Sequence, residues 1–272
     1  MASKALIVTV SEYANPSNSL VAVAKDGPAF AEILAGYGIH DTEILKDKNA
    51  TSQNIRNALH QLVTGAQAGD TCVFYFSGHG FHLPPSFSGN DDPDGRDEAI
   101  VPHEGTLSSL ILDNWLAQFF KNRIPEGVVF WGIYDCCHSG DLFKAAVIDG
   151  IGPEEIEIAK ELQVEDIIID SMPTRLAPIA NFTQKGLILD GTIPTSIHVA
   201  AAQPEKPALC KLIDGEQRSV FTWALSQVLH GAPKISVADL EIALAKKVAT
   251  HTDVHTPQVA CHPSNRTRLT FY

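Results

Sequence analysis

The chain has 272 residues, 44% of them hydrophobic and 19% charged, with 19 Gly and 16 Pro. That balance excludes a disordered tail, a collagen-like fibre and a small disulfide scaffold, and leaves room for one large domain or two small ones. A formal net charge of −12 argues against a broad nucleic-acid surface.

The first apolar run, Ala5–Val10, reads as a buried strand. It is too short for a signal core or a membrane span. Asp26–Gly36 follows as a helix with Phe30, Ile33 and Leu34 at helical spacing, and Thr42–Leu45 as a short strand. Thr51 or Ser52 can cap a helix carrying Ile55, Leu59 and Leu62. Thr71–Phe76 and Val128–Tyr134 are strongly β-prone, with a helical pattern over Leu112–Lys121 between them. Gly80–Leu112, rich in Pro, Gly and Asp, reads as a long surface loop.

Within Ile151–Asp190 only Glu154–Leu162 shows a pattern, that of a short helix. Ser196–Ala202 reads as a strand, Val220–Leu229 and Val237–Thr250 as helices, and Arg268–Tyr272 as the last strand. Strand–helix alternation with continuous apolar strands implies a largely parallel sheet covered on both faces, whose ligands bind at the carboxyl ends of the strands. The five cysteines (Cys72, Cys136, Cys137, Cys210, Cys261) lack framework spacing and imply free thiols in a reducing, cytoplasmic compartment. His251, His255, Cys261 and His262 fit no standard zinc spacing.

Two strand ends carry chemistry. Ser77-Gly78-His79-Gly80 follows one buried run, and Asp135-Cys136-Cys137-His138-Ser139-Gly140 follows another. Thiol catalysis needs a thiolate, an imidazole that exchanges its proton and donors for an oxyanion. Taken singly, a cysteine after a strand is usually a small buried hydrophobe and a histidine beside glycines a turn residue. Together they lie where an α/β sheet gathers its site.

These two segments resemble the catalytic motifs of the metacaspases, caspase-like cysteine peptidases, and specifically the prokaryotic type (orthocaspases). His79 and Cys137 are 58 residues apart (137 − 79), close to the spacing of about 50 in the caspase signature. Asp94–Pro102 resembles the family's loop after the histidine, and His198–Gln203 with Phe221-Thr222 the start of its small-subunit region. The resemblance spans roughly residues 5–272 and implies a caspase-like α/β three-layer sandwich, with a mostly parallel central sheet flanked by helices. It further implies a single peptidase domain over 1–272: large-subunit-like 1–150, a linker over 151–190 and small-subunit-like 191–272.

Carried over residue by residue, the resemblance makes Cys137 the nucleophile and His79 the acid and base. The backbone N–H groups of Gly80 and Cys137 form the oxyanion hole. Cys136 is expected to face the opposite side of its strand, and the neighbouring His138 is a poorer base on geometric grounds. Metacaspases cut after Arg or Lys, and Asp135, Ser77 and Asp26 match pocket positions able to bind a guanidinium or ammonium. Asp26 also reads as an ordinary helix N-terminal charge, and Val23 stands where the family often has cysteine.

No cofactor is expected to be required. Many relatives use calcium, and Asp113 matches one ligand, but Asn114 and Lys144 replace acidic positions. Asp91, Asp92 and Asp94 read equally as ligands or as a solvated loop. Weak calcium dependence or none is expected. The expected partners are peptides and proteins with Arg or Lys at the cut, with no nucleic acid or membrane, and the chain is expected to be a monomer. Lys160, Arg175 and Lys185 are candidate self-cleavage points. The alternatives are a silent scaffold that binds basic peptides and a peptide ligase using the same acyl-enzyme.

Overall fold

A computed structural model describes residues 2–83, 97–137, 157–171, 184–185, 188–189, 195–203 and 206–272. In chain order the elements are β1 (Ser3–Thr9), α1 (Asp26–Gly36), β2 (Asp41–Lys46), α2 (Ser52–Val63), β3 (Thr71–Ser77), β4 (Gly80–Leu83), β5 (Asp97–Ile100), β6 (Ile111–Leu112), α3 (Asp113–Arg123) and β7 (Val129–Asp135). They continue with β8 (Ile158–Ala159), β9 (Gln184–Lys185), β10 (Ile188–Leu189), β11 (Ser196–Ala200), β12 (Leu209–Ile213), β13 (Glu216–Ser219), α4 (Val220–Gly231), α5 (Val237–Val248) and β14 (Gln258–Cys261).

Six strands form the central sheet in the order β14-β11-β7-β3-β1-β2. Every pairing is parallel except that of β14 with β11. Every residue of β3 and β7 is buried, which is why both read as unbroken apolar runs rather than alternating ones. Successive side chains feed two cores. Val8, Phe74, Phe76 and Phe130 pack with α2 and α3 on one face; Ile7, Tyr75, Trp131 and Ile133 pack with α1, α4 and α5 on the other. The result is the expected three-layer α/β sandwich. Among the described residues no helix is long and apolar enough to cross a membrane.

Three expectations change. Gly80–Leu112 is not all loop: β4, β5 and β6 form a small antiparallel sheet. Its Phe81, Leu83, Ala99, Ile100, Ile111 and Leu112 are buried in the first core. Residues 84–96 lie outside the described residues. The expected helix over Glu154–Leu162 is, in its described part, extended, with β8 pairing antiparallel to β12; tertiary pairing overrides the helix propensity of Glu, Ala, Lys and Leu.

The third change is at the C-terminus, where Arg268–Tyr272 is a turn rather than the last strand. Phe271 adopts φ 60° there and buries its ring against Trp131 and Tyr37. The final strand is β14. An unanticipated hairpin joins β12 and β13. Its two-residue turn Asp214-Gly215 has φ of 53° and 77°, the left-handed pair that an Asp-Gly turn supplies.

Candidate active site

Strands β3 and β7 are parallel neighbours in register, Ser77 opposite Asp135. The segments that leave them therefore emerge side by side. Gly78 is tightly enclosed: a Cβ there would lie 2.9 Å from Tyr13 Oη and 3.1 Å from Phe76 Cζ. The next residue, His79, donates its backbone N–H to Tyr13 Oη at 2.7 Å and packs its ring 5.1 Å from the tyrosine ring. Its Nε2 lies 2.8 Å from the Asn18 carbonyl oxygen. A carbonyl only accepts, so Nε2 carries the proton and Nδ1 keeps its lone pair. That Nδ1 is buried without a hydrogen-bond partner. Burial holds the ring's pKa down to about 4.

Cys137 is buried on the α1/α4 face of the sheet, while Cys136 packs into the opposite core. The Cys137 Sγ accepts the Ala208 N–H at 3.0 Å and directs its own proton to the Ala208 carbonyl at 3.2 Å. Burial, with Glu161 adding, pushes this thiol well above its ordinary pKa. Thiol and imidazole are thus both neutral at pH 7. Among the described residues no hydrogen bond joins them; what converges is the backbone beside each, on one peptide group. The backbone N–H groups of Gly80 and Cys137 both donate to the carbonyl oxygen of Lys160, at 2.9 and 3.2 Å. Two amides converging on one carbonyl oxygen, beside a thiol and an imidazole, suit acyl transfer.

The Lys160 side chain points down between the strand ends and is fully buried. Its Nζ lies 2.8 Å from Asp135 Oδ1 and 3.3 Å from Asp26 Oδ2. It also donates to Ser77 Oγ at 2.8 Å and to the Asp135 carbonyl at 3.1 Å. Ser77 Oγ donates to Asp26 Oδ2 at 2.6 Å, and Ser219 donates to the same carboxylate. The other carboxylate, Asp135, takes the Thr222 N–H at 3.1 Å and the Thr222 hydroxyl at 2.5 Å through Oδ2. Burial works against the Lys160 charge, but Asp135 and then Asp26 outweigh it and hold the ammonium above its ordinary pKa. Burial raises Asp26 to about 6, with Lys160 opposing and Asp135 adding.

The segment bearing Lys160 lies in the groove as an added strand. β8 pairs with β12, Lys160 N–H donates to Ala208 O at 3.0 Å, and Leu162 N–H donates to Gly80 O at 3.1 Å. This is how an extended peptide docks on a sheet edge.

Of the residues anticipated from sequence, His79, Gly80, Cys137, Asp26, Ser77 and Asp135 come together here. In the sequence Lys160 stands out only as a cleavage point, and Asn18, Tyr13, Ser219 and Thr222 carry no mark of site residues. Val23 is buried in a short turn of 3-10 helix before α1. Asp113 stands apart at the start of α3, where it accepts the Asn114 N–H at 2.7 Å. Among the described residues no cluster of three or more His, Cys, Asp or Glu could hold a metal ion. His138, Lys144, Arg175 and the Asp91, Asp92, Asp94 group lie outside the described residues, and Lys185 falls in β9.

Residues 3–146 match the family model described as metacaspase, peptidase C14 domain. The chain is similar to metacaspase-1A of Aspergillus terreus, 28% identical over 254 residues that cover 84% of this chain and 62% of that protein. It is similar to metacaspase-1A of Aspergillus niger at 27% over 289 residues, 96% and 70% of the two chains. With metacaspase-9 of Arabidopsis thaliana it shares 36% over 167 residues, 57% and 49% of the two. The matched region thus spans between about half and 70% of these relatives.

Among solved structures the chain is similar to a Geobacter sulfurreducens protein, with TM-score 0.71, 20% identity and coverage of 100% and 98%. It is also similar to caspase-1 of Spodoptera frugiperda, with TM-score 0.62, 14% identity and coverage of 98% and 88%. At such identities the likeness concerns the fold.

Proposed function

Because the chain belongs to the metacaspase family of C14 peptidases, we propose that it is a cysteine endopeptidase that cuts after Lys or Arg. One observation carries this reading: Lys160 fills a pocket of two carboxylates while its carbonyl oxygen sits on the Gly80 and Cys137 amides. A residue held this way, side chain neutralised and carbonyl polarised, stands where the residue before a cut bond must stand. Arginine carries the same charge and can engage a carboxylate bidentately.

In the proposed reaction His79 Nδ1 takes the Cys137 thiol proton, and the thiolate attacks the carbonyl carbon. The carbonyl π pair moves onto oxygen, where the two amides stabilise it. Collapse breaks the C–N bond, the His79 imidazolium protonates the departing amine, and a thioester remains on Cys137. Water, deprotonated by the same Nδ1, then attacks the thioester and releases the acid with the thiol restored. The Asn18 carbonyl supports this assignment by fixing the proton on Nε2 and leaving Nδ1 to work. These steps use side chains, backbone amides and water, and we propose that calcium is not required. The free state of all five cysteines supports a reducing working compartment.

The test compares fluorogenic peptides ending in Lys, Arg or Asp, with and without calcium, for the chain and for Cys137→Ala. Turnover of Lys and Arg peptides is expected, lost in the variant and insensitive to calcium. Preference for Asp overturns the pocket assignment, and unchanged turnover in Cys137→Ala overturns the nucleophile. Absence of turnover with retained binding of basic peptides marks a silent scaffold. A product carrying an added amine, seen by mass spectrometry, marks a ligase.

A further inference from the structure

We propose that Lys211 is a specificity-determining residue that reads an acidic side chain three positions before the basic one, so that preferred substrates follow the pattern acid-x-x-Lys or acid-x-x-Arg. The inference rests on the reading of Lys160 as the occupant of the basic pocket.

The strand in the groove supplies the register. Ala159 lies opposite Leu209 and Ile158 opposite Cys210, which brings Glu157 opposite Lys211. Directly opposed residues of an antiparallel pair project from the same face, close enough to interact. They do so here: Lys211 Nζ lies 2.5 Å from Glu157 Oε1. The ammonium is also oriented from behind, donating to the His251 carbonyl oxygen at 2.9 Å. That carbonyl follows the C-terminal end of α5, the end that favours a cation.

A second cation, Lys247, lies over the Trp223 ring at 4.8 Å, and the same ring meets His251 at 4.4 Å. Asp214, in the hairpin turn, also acts on His251. Between rim and pocket, Ala159 packs against the small cluster of Leu209, Val220 and Ala224, with Trp223 and Val254 at its border. The groove therefore runs from a buried anionic pocket, past a small apolar contact, to a partly exposed cationic rim. A peptide with the opposite charge order is complementary to it.

The Lys211 and Glu157 side chains are 25% and 38% exposed, so a peptide in solution can reach this rim. Exposed ion pairs of this kind change affinity by about two- to fivefold.

The test uses the full chain and three fluorogenic tetrapeptides: Glu-Ile-Ala-Lys, Gln-Ile-Ala-Lys and Lys-Ile-Ala-Lys. The expected order of kcat/KM is Glu above Gln above Lys, about two- to fivefold per step at low salt and flattened at high salt. Lys211→Glu is expected to reverse the order and Lys211→Gln to erase it. Changing Lys211 also alters how firmly the chain's own Glu157 docks, but that affects all three peptides alike and leaves their ratios informative. Equal turnover of the three by the unmodified chain, or an unchanged order in Lys211→Glu, overturns the role of Lys211. Failure to turn over any of the three overturns the basic-pocket reading, and this proposal with it.

Discussion

The tips of β3 and β7 and the segment Glu157–Asp170 laid over them share one site, yet they are held by different forces. Both strands are buried at all seven positions, so their ends are fixed by apolar packing on two faces. In the overlying segment only Lys160, Leu162 and Ile167 are buried, while Ile168 and Ile169 are 50% and 59% exposed. Its anchors are backbone bonds to Gly80, Cys137 and Ala208, a Leu107–Ile168 bond, an Asn18–Asp166 bond and Ser108 on Asp170. Each such bond adds about 1 kcal/mol net. The first region is scaffold; the second behaves as a ligand supplied by the chain itself, seated by one buried cation.

The largest expected effect removes that cation. Incubated at neutral pH, the chain is expected to cut its own Lys160–Glu161 bond. Lys160→Arg keeps the cut. Lys160→Gln slows it at least about a hundredfold, because truncating a buried ion pair is worth about 3–5 kcal/mol. Mass spectrometry of the fragments reads the result, with Cys137→Ala as the uncut reference. Undiminished cleavage between 160 and 161 in Lys160→Gln would show that the pocket contact does not direct the reaction.

The same contrast separates what sequence alone reveals from what it hides. Thr71–Phe76 and Val128–Tyr134 announce buried strands by composition, and a parallel sheet puts the motifs after them side by side. Nothing local marks Glu157–Leu162 as a strand, because its extended form exists only against β12 and Gly80. Asp214-Gly215 does signal a hairpin, and the hairpin carries Lys211 and Ser219 toward the groove. Ser219 and Thr222 have no signature of their own; their role appears only once α4 begins beside Asp135. The apolar residues of β4 to β6 are equally local, but a Pro-, Gly- and Asp-rich stretch between β4 and β5 disguises their pairing.

Two buried histidines, one inside the central sheet and one beneath the overlying segment, carry the contrast into pH. His198, on β11 among Phe120, Phe130 and Tyr134, is held down to about 3 by burial. His79, covered by the segment, is held down to about 4, also chiefly by burial. Both protonate near 6.5 once unfolded. As pH falls from about 6.5 to 4 the unfolded chain therefore binds more protons, and stability falls by about 1.4 kcal/mol per pH unit per histidine.

Asp26 acts with the opposite sign. Its folded pKa of about 6 is raised, so its contribution is present at low pH and is lost as pH rises from about 4 to 6. His255 and His251 are also held below their ordinary pKa chiefly by burial, so the net slope expected is at least that of one histidine. Urea midpoints between pH 7 and 4.5 should decline on acidification, and His79→Gln should lessen the decline while leaving the share of His198. A flat or rising midpoint contradicts the burial of both rings.

The smallest effect probes the scaffold alone. Thr222→Val preserves shape but removes the hydroxyl that donates to Asp135 Oδ2 and accepts from Tyr75, leaving the Thr222 N–H in place. A hydrogen bond to a charged group is worth about 1.5–3 kcal/mol, and with the N–H retained the lower end applies. kcat/KM for a Lys peptide should fall about tenfold. Thr222 positions a pocket carboxylate and touches no reacting atom, so the loss should appear mainly in KM. Thr222→Ser should restore the rate, since serine keeps the donor. Equal activity in Thr222→Val and the unmodified chain would mean that the start of α4, rather than this hydroxyl, holds Asp135 in place.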